Sequence, residues 1–343
     1  MGSPYPWHYD LRWGWYHLFP SVRAHVELPR RPRAHTFARA DEVARIVMFG
    51  DLMGLRGDRV PSCSPALQAI FAGADLVVGN CEAPVVRDHN DPDARYFARL
   101  SLGAQYLRDF FDRFAVDPAR CVLSIANNHA GDHGGRGLIE TESRLRALGV
   151  GVAGARAGRP APLAVRTARG LRIGVLAWTT WMNCEAPGAA VARAADIDAI
   201  DWRARRATLG LDTLVASPHW EWEFQHVPHR DTVAAAERLA AAGIDAIAGH
   251  HPHVVQPLAW LGARPTPTVC AFSLGNLFAR TLTWPHRLGA LLELEVGLAG
   301  ASRGQIVAYT LHPTVQLGGA RDARVVTLAE APADLRARIG DRI

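Results

Sequence analysis

The chain reads as an α/β protein built on a pair of sheets, and three observations carry that reading. From residue 45 onward, short apolar runs of strand length alternate with segments of helical spacing. The late runs 291–296 and 305–309 instead alternate apolar with polar, as half-exposed antiparallel strands do, which argues for a sheet pair over one doubly wound sheet. The 343 residues are 49% hydrophobic, enough for a substantial core.

Taken in order, 46–49 is a short apolar strand running into Gly50-Asp51. A helix over 64–72 precedes a second strand, 75–79, which ends at Asn80-Cys81-Glu82. The segment 106–114 is helical, and a third strand, 121–126, ends at Asn127-Asn128-His129. Helical spacing returns over 138–148, and 149–152 opens the next strand. Strands follow at 173–177 and 213–217, the latter ending at Pro218-His219-Trp220. An alanine-rich helix over 232–242 leads to a short buried strand, 246–248, and then to Gly249-His250-His251-Pro252-His253. The run 268–272 ends at Ser273-Leu274-Gly275-Asn276. Residues 1–44 are rich in Trp, Tyr, His, Pro and Arg without a period. They read as an extension packed on the main domain (45–315) or on a partner, with 29–32 as a linker. Residues 316–343 read as a peripheral segment, a helix and tail from 331.

The net charge is +5, the pI is near 9.2, and every basic residue is arginine. That balance favours an anionic small-molecule or polymer substrate. It does not indicate nucleic-acid binding, because no basic helix or aromatic-basic interleave accompanies it. Five scattered cysteines without a C-x-x-C pair point to free thiols in a reducing compartment. With no secretory leader and no apolar stretch long enough to span or anchor in a membrane, the expectation is a cytoplasmic protein.

The polar residues are grouped. Five apolar strands end in metal-competent groups: Asp51; Glu82; Asn128 with His129; His219; and His251 with His253. Strand ends on one edge of a sheet converge in space, and mixed oxygen and nitrogen ligands suit Mn, Fe, Zn or Co. Glu82 is the carboxylate placed to bridge two ions about 3.5–4 Å apart. Singly, each residue has a structural alternative: Asp51 as a helix cap, Asn80 and Asn127 as turn residues, His219 as a satisfied core residue. Jointly these alternatives fail, since capping gives no reason for all five strand ends to carry ligand chemistry.

The elements Gly50-Asp51, Asn80-Cys81-Glu82, Ala126-Asn127-Asn128-His129-x-x-Asp132-x-Gly134, His219-Trp220-x-x-Glu223, Gly249-x-His251-Pro252-His253 and Ser273-Leu274-Gly275-Asn276 resemble the capsule-synthesis CapA family, the poly-gamma-glutamate synthesis proteins. That family is similar to calcineurin-like metallophosphoesterases. The resemblance spans roughly 45–315 and implies a four-layer α/β/β/α sandwich of the metallophosphoesterase type with two divalent transition-metal ions. It implies Asp51 and His253 on the first ion, Glu82 bridging, and Asn128, His219 and His251 on the second. His129 would be the acid that protonates the leaving oxygen, with Asp132 orienting it. His250 would face outward or contact substrate, and Ser273 and Asn276 would line the pocket or cap a turn.

Two positions depart from the pattern. Phosphoesterases usually carry Asp-x-His in the first motif, where this chain has Met53. The CapA family usually has glycine after His-Trp, where this chain has Glu221, a carboxylate that would reshape the pocket or add a ligand. The expected activity is hydrolysis of a phosphoester or related anionic substrate. The alternatives are a component that makes or binds poly-gamma-glutamate, and amide-bond chemistry at the same metals.

Overall fold

The computed structural model describes residues 5–23, 26–55, 59–87, 99–155, 163–262, 266–280, 283–319 and 322–339; the expected C-terminal tail, 340–343, lies outside them. The first central strand, β1 (Val43–Leu52), sends Ile46 and Met48 to one face and Val47 and Phe49 to the other, and all four are buried. A strand apolar on both faces needs a layer on each side, and the fold supplies both.

Along the chain, α1 (Pro65–Ala72) starts where Ser64 Oγ accepts from the Leu67 N–H at 3.3 Å, with proline in the first turn. Next come β2 (Leu76–Cys81), α2 (Ala104–Phe114), β3 (Cys121–Ser124), α3 (Gly134–Ala147) and β4 (Gly151–Ala153). Strands β1 to β4 lie side by side and parallel. The chain then builds a second sheet: β5 (Leu163–Ala168), β6 (Leu171–Thr179), α4 (Trp202–Leu209), β7 (Thr213–His219), α5 (Arg230–Ala242), β8 (Ala246–Ala248), β9 (Leu258–Leu261) and β10 (Thr268–Ala271). Its order is β9-β10-β8-β7-β6-β5, with β6, β7, β8 and β10 parallel. The chain returns to the first sheet through β11 (Asn276–Phe278), β12 (Leu288–Gly297), β13 (Ile306–Leu317) and β14 (Arg324–Thr327).

The sheets face each other across Ile46, Met48, Leu76, Val78 and Val122 on one side and Ile173, Val175, Val215 and Val269 on the other. Behind the first sheet, Leu67, Phe71, Phe110, Phe114, Leu138 and Leu145 of α1 to α3 cover Val47, Phe49, Val77 and Leu123. Behind the second, Trp202, Ala236 and Leu239 of α4 and α5 cover Leu176, Leu214, Ala216 and Ile247. The result is the expected four-layer α/β/β/α sandwich. No helix among the described residues is long and apolar enough to cross a membrane.

Three details differ from the sequence reading. The late strands are mostly buried, because β12 pairs with β1 and its inner face joins the core between the sheets. Helix α3 starts at Gly134, a turn before 138, since its glycine-rich first turn carries no apolar period. Finally, β13 runs through residue 315 to Leu317 and pairs with β14, so the first sheet extends beyond the main-domain boundary. Residues of the N-terminal extension are also built in: Ala34–Thr36 pairs with β13, and the short helices Trp7–Asp10 and Trp13–Leu18 precede it.

Candidate metal centre

Parallel strands all point one way, so the carboxyl ends of β1, β2, β3, β7 and β8 deliver their residues to one region between the sheets. Two glycines make the approach possible. A Cβ at Gly50 would sit 2.0 Å from Gly275 O, and one at Gly249 would sit 1.9 Å from Phe272 O, so only glycine lets these chains pass.

Asp51, fully buried, is the hub. Its Oδ1 accepts from Asn80 Nδ2 at 2.8 Å and lies 3.2 Å from His250 Nδ1. Its Oδ2 accepts the His251 N–H at 3.1 Å and lies 3.5 Å from His253 Nδ1. Burial opposes the charge, but His250 and His253 outweigh it and hold the carboxyl well below the usual range. Glu82 is the opposite case. Burial, then the charge of Asp51, pushes its carboxyl well above the usual value, and neither oxygen has a hydrogen-bond partner. Its Oε1 lies 3.5 Å from His219 Nε2 and 3.7 Å from His253 Nε2.

His219 accepts from Asn80 Nδ2 at its Nδ1 (3.2 Å), so its Nε2–H faces Asn128 Oδ1 at 2.9 Å. Burial, then His251, keeps His219 neutral well below its ordinary pKa. Burial, then His253, does the same for His251, whose Nδ1 has no partner. Neutral imidazoles are the form that ligates metals. For His253, burial alone would lower the pKa, but Glu82 and Asp51 reverse the sign and raise it to about 10. The imidazolium therefore supplies positive charge to two buried carboxylates.

Two sets, Glu82/His251/His253 and Asp51/Glu82/His219, each place ligand atoms within 4.8 Å of one another, and Glu82 belongs to both. A shared carboxylate with unpartnered oxygens, buried neutral histidines and an added amide oxygen from Asn128 fit divalent transition metals. His129 stands beside this cluster, with its Nδ1 2.7 Å from Asp132 Oδ2, which also accepts the Leu100 N–H at 2.7 Å.

Three expectations need correction, and a fourth, for Ser273, resolves to one of its two alternatives. His250 does not face outward: it is 1% exposed, 2.8 Å from Ser217 Oγ through Nε2, and its Nδ1 is turned to Asp51. Glu221 adds no ligand, because its oxygens accept the N–H groups of Trp222 (3.1 Å) and His229 (3.0 Å) at the entrance to α5; burial raises its pKa to about 7. Ser273 is fully buried and caps its own turn, accepting the Gly275 N–H at 3.1 Å. Asn276 is also buried and orients His253, with Oδ1 3.0 Å from its Nδ1, so it belongs to the support of the cluster rather than to a pocket wall.

Other residues enter that the sequence left without a role. Asn80 is a network member within β2 rather than a turn residue, whereas Asn127 is both: its Oδ1 accepts the His129 N–H at 3.1 Å, and its Nδ2 donates to Cys81 O at 2.8 Å and reaches Asn80 Oδ1 at 3.2 Å. Glu223 lies 3.9 Å from His253 Nε2; its presence in the His219-Trp220-x-x-Glu223 motif was the available signal. The N-terminal extension closes over these groups. Tyr5 Oη lies 2.8 Å from His251 Nε2, Trp13 donates to Glu223 Oε2, and Tyr9 donates to Glu223 O. Tyr5 and Tyr9 pack against Trp222 at 6.1 and 4.9 Å between ring centres.

Comparison with known proteins places this geometry in context. Residues 45–281 match the family model described as Bacterial capsule synthesis protein PGA_cap. The chain is 26% identical over 298 residues to PGA biosynthesis protein CapA of Bacillus subtilis (strain 168), covering 82% of this chain and 74% of that protein. It is 26% identical over 192 residues to Capsule biosynthesis protein CapA of Bacillus anthracis, covering 53% of this chain and 46% of that protein. Among solved structures, NAD nucleotidase (NadN) of Haemophilus influenzae superposes with a TM-score of 0.46 at 11% identity, over 87% of this chain and 55% of that one.

Proposed function

The chain belongs to the bacterial capsule synthesis protein family PGA_cap, and from that premise we propose that it is a metal-dependent hydrolase of a phosphoester or related anionic substrate with a dinuclear centre. One observation carries the proposal: Glu82 is fully buried, both its oxygens lack hydrogen-bond partners, and it belongs to two ligand sets at once. A buried carboxyl whose oxygens meet no hydrogen-bond donor leaves its acceptor sites unfilled, and a shared cation is what such a group accommodates.

Asp51, Glu82, Asn128, His219, His251 and His253 would hold the ions. When bound, these supply Lewis-acid activation of a water and of the substrate's oxygen. The chain's own residues do the rest. Asp132 fixes the Nδ1 proton of His129, leaving Nε2 to hold and release a proton at the leaving oxygen. His250 and Asn80 hold Asp51 in place, and Asn276 holds His253.

A second reading is a component that retains an anionic polymer without cutting it. The relatives' names and Met53, where a phosphoesterase carries a ligand histidine, favour it. The test pairs metal content per chain with hydrolysis of bis- and mono-p-nitrophenyl phosphate after Mn, Zn, Fe or Co loading. About two ions per chain with metal-dependent turnover supports the hydrolase. Bound metal without turnover moves the assignment to polymer retention or amide chemistry, and no metal under any loading overturns the centre itself.

A further inference from the structure

We propose that Tyr5, contributed by the N-terminal extension, is a positioning residue of the metal centre that selects the metal-binding tautomer of His251. The inference rests on the metal-centre reading above and deepens it. Among the described residues, two groups meet His251 Nε2: Tyr5 Oη at 2.8 Å and the Trp181 indole Nε1 at 3.3 Å. The other ring nitrogen, Nδ1, is buried without a partner.

The two tautomers have different consequences. With Nε2 bare, it accepts the Trp181 N–H, and Nδ1 carries a buried, unpartnered proton that blocks it as a ligand. With Nε2 protonated, Nδ1 presents its lone pair, but Nε2–H then needs an acceptor. Indole N–H only donates, whereas a phenol oxygen accepts as well as donates. Tyr5 therefore provides the acceptor that the ligating tautomer requires, as a carboxylate or carbonyl does behind many metal-bound histidines. The phenol is placed for this by its ring, which packs on Tyr9 at 4.8 Å, Trp181 at 5.8 Å and Trp222 at 6.1 Å. The arm that carries Tyr5 also bonds Glu223 through Trp13 and Tyr9, so the extension holds groups on both site loops.

The experiment is a Co(II) titration of the chelator-stripped full chain, read by the visible absorption of bound cobalt, for wild type, Tyr5→Phe and Trp181→Phe. Tyr5→Phe keeps the packed ring and removes only the oxygen. It is expected to weaken Co(II) binding about 10- to 100-fold and to alter the cobalt spectrum, with the metal-free melting temperature unchanged. Trp181→Phe removes a donor that competes for the other tautomer, so it is expected to keep or raise the affinity. Wild-type affinity and spectrum in Tyr5→Phe would overturn the assignment, as would an equal loss in both variants, which would reduce Tyr5 to packing. If the wild-type chain takes up no cobalt, the metal-centre reading itself fails and this inference goes with it. If wild type binds and Tyr5→Phe binds equally, only this inference fails.

Discussion

The main-chain N–H of His251 donates to Asp51 Oδ2 at 3.1 Å, a bond that ties the loop after β8 in one sheet to the end of β1 in the other. The turn it anchors, His251-Pro252-His253, has an unusual backbone. His251 has φ 99° and His253 φ 56°, and the facing loop carries Glu221 at 76° and Phe224 at 59°. Left-handed backbone at non-glycine residues costs of order 1–3 kcal/mol each and persists where the surroundings over-determine it. Four such residues in the two loops around one buried cluster mark where folding energy has been diverted to geometry.

The stability of the metal-free chain should respond to Glu82 in the direction opposite to its metal affinity. Its folded pKa lies above the unfolded value of 4.5, so its contribution is favourable below 4.5 and is lost as pH rises towards the folded pKa. Glu82→Gln has no such loss and should be more stable than wild type at pH 7 in chelator, by about 1–3 kcal/mol. Added metal should then stabilise wild type alone. Urea denaturation with and without Zn or Mn checks both halves; a Glu82→Gln chain destabilised in chelator would contradict the reading.

His250 separates support from contact. If its Nδ1 serves only to hold Asp51, His250→Leu should lower metal affinity about 10- to 100-fold while KM at saturating metal stays put. A raised KM with wild-type metal affinity would restore His250 to the substrate side. Metal titration beside steady-state kinetics distinguishes the two.

Much of this is legible in the sequence, and the parts that are not share a physical cause. The apolar runs before Asp51, Glu82 and His219 place those residues at strand ends. Glu221 and Glu223 lie beyond the end of β7, where no period dictates direction, so their spacing does not tell that one accepts the His229 N–H ahead of α5 and the other approaches His253. Ser273 shows the same indeterminacy: a serine in a turn bonds its own backbone as readily as it faces a pocket. The aromatic extension had composition but no period, so nothing in its sequence could place Tyr5 beside a histidine 246 positions away.

His129 should be separable from the metal ligands. His129→Asn is expected to retain full metal content and lose about 10²- to 10⁴-fold in turnover, because the residue holds a proton rather than an ion. Asp132→Asn should lose less, since it removes only the group that fixes Nδ1 at 2.7 Å. Elemental analysis alongside hydrolysis rates tests this, and an active His129→Asn chain would exclude it as the acid.

His286 predicts an acid limit to stability. It is 2% exposed, its Nε2 is buried without a partner, and its ring packs 4.9 Å from Phe224. Burial, then the nearby His253, lowers its pKa from 6.5 to about 3. A histidine with a depressed folded pKa contributes fully above the unfolded value of 6.5, and that contribution is lost as pH falls towards 3, at about 1.4 kcal/mol per unit. The buried neutral His219 and His251 lose stability in the same direction, so the test is a difference: urea midpoints of chelated wild type and His286→Gln between pH 7 and 4. The variant should show the shallower decline, with the gap opening below pH 6.5. Parallel curves would mean that His286 takes up its proton in the folded chain as easily as in the unfolded one. Its ring would then have access to water, and the Asn276 Nδ2 bond to the His286 carbonyl, at 2.9 Å, would be what the residue contributes to holding His253.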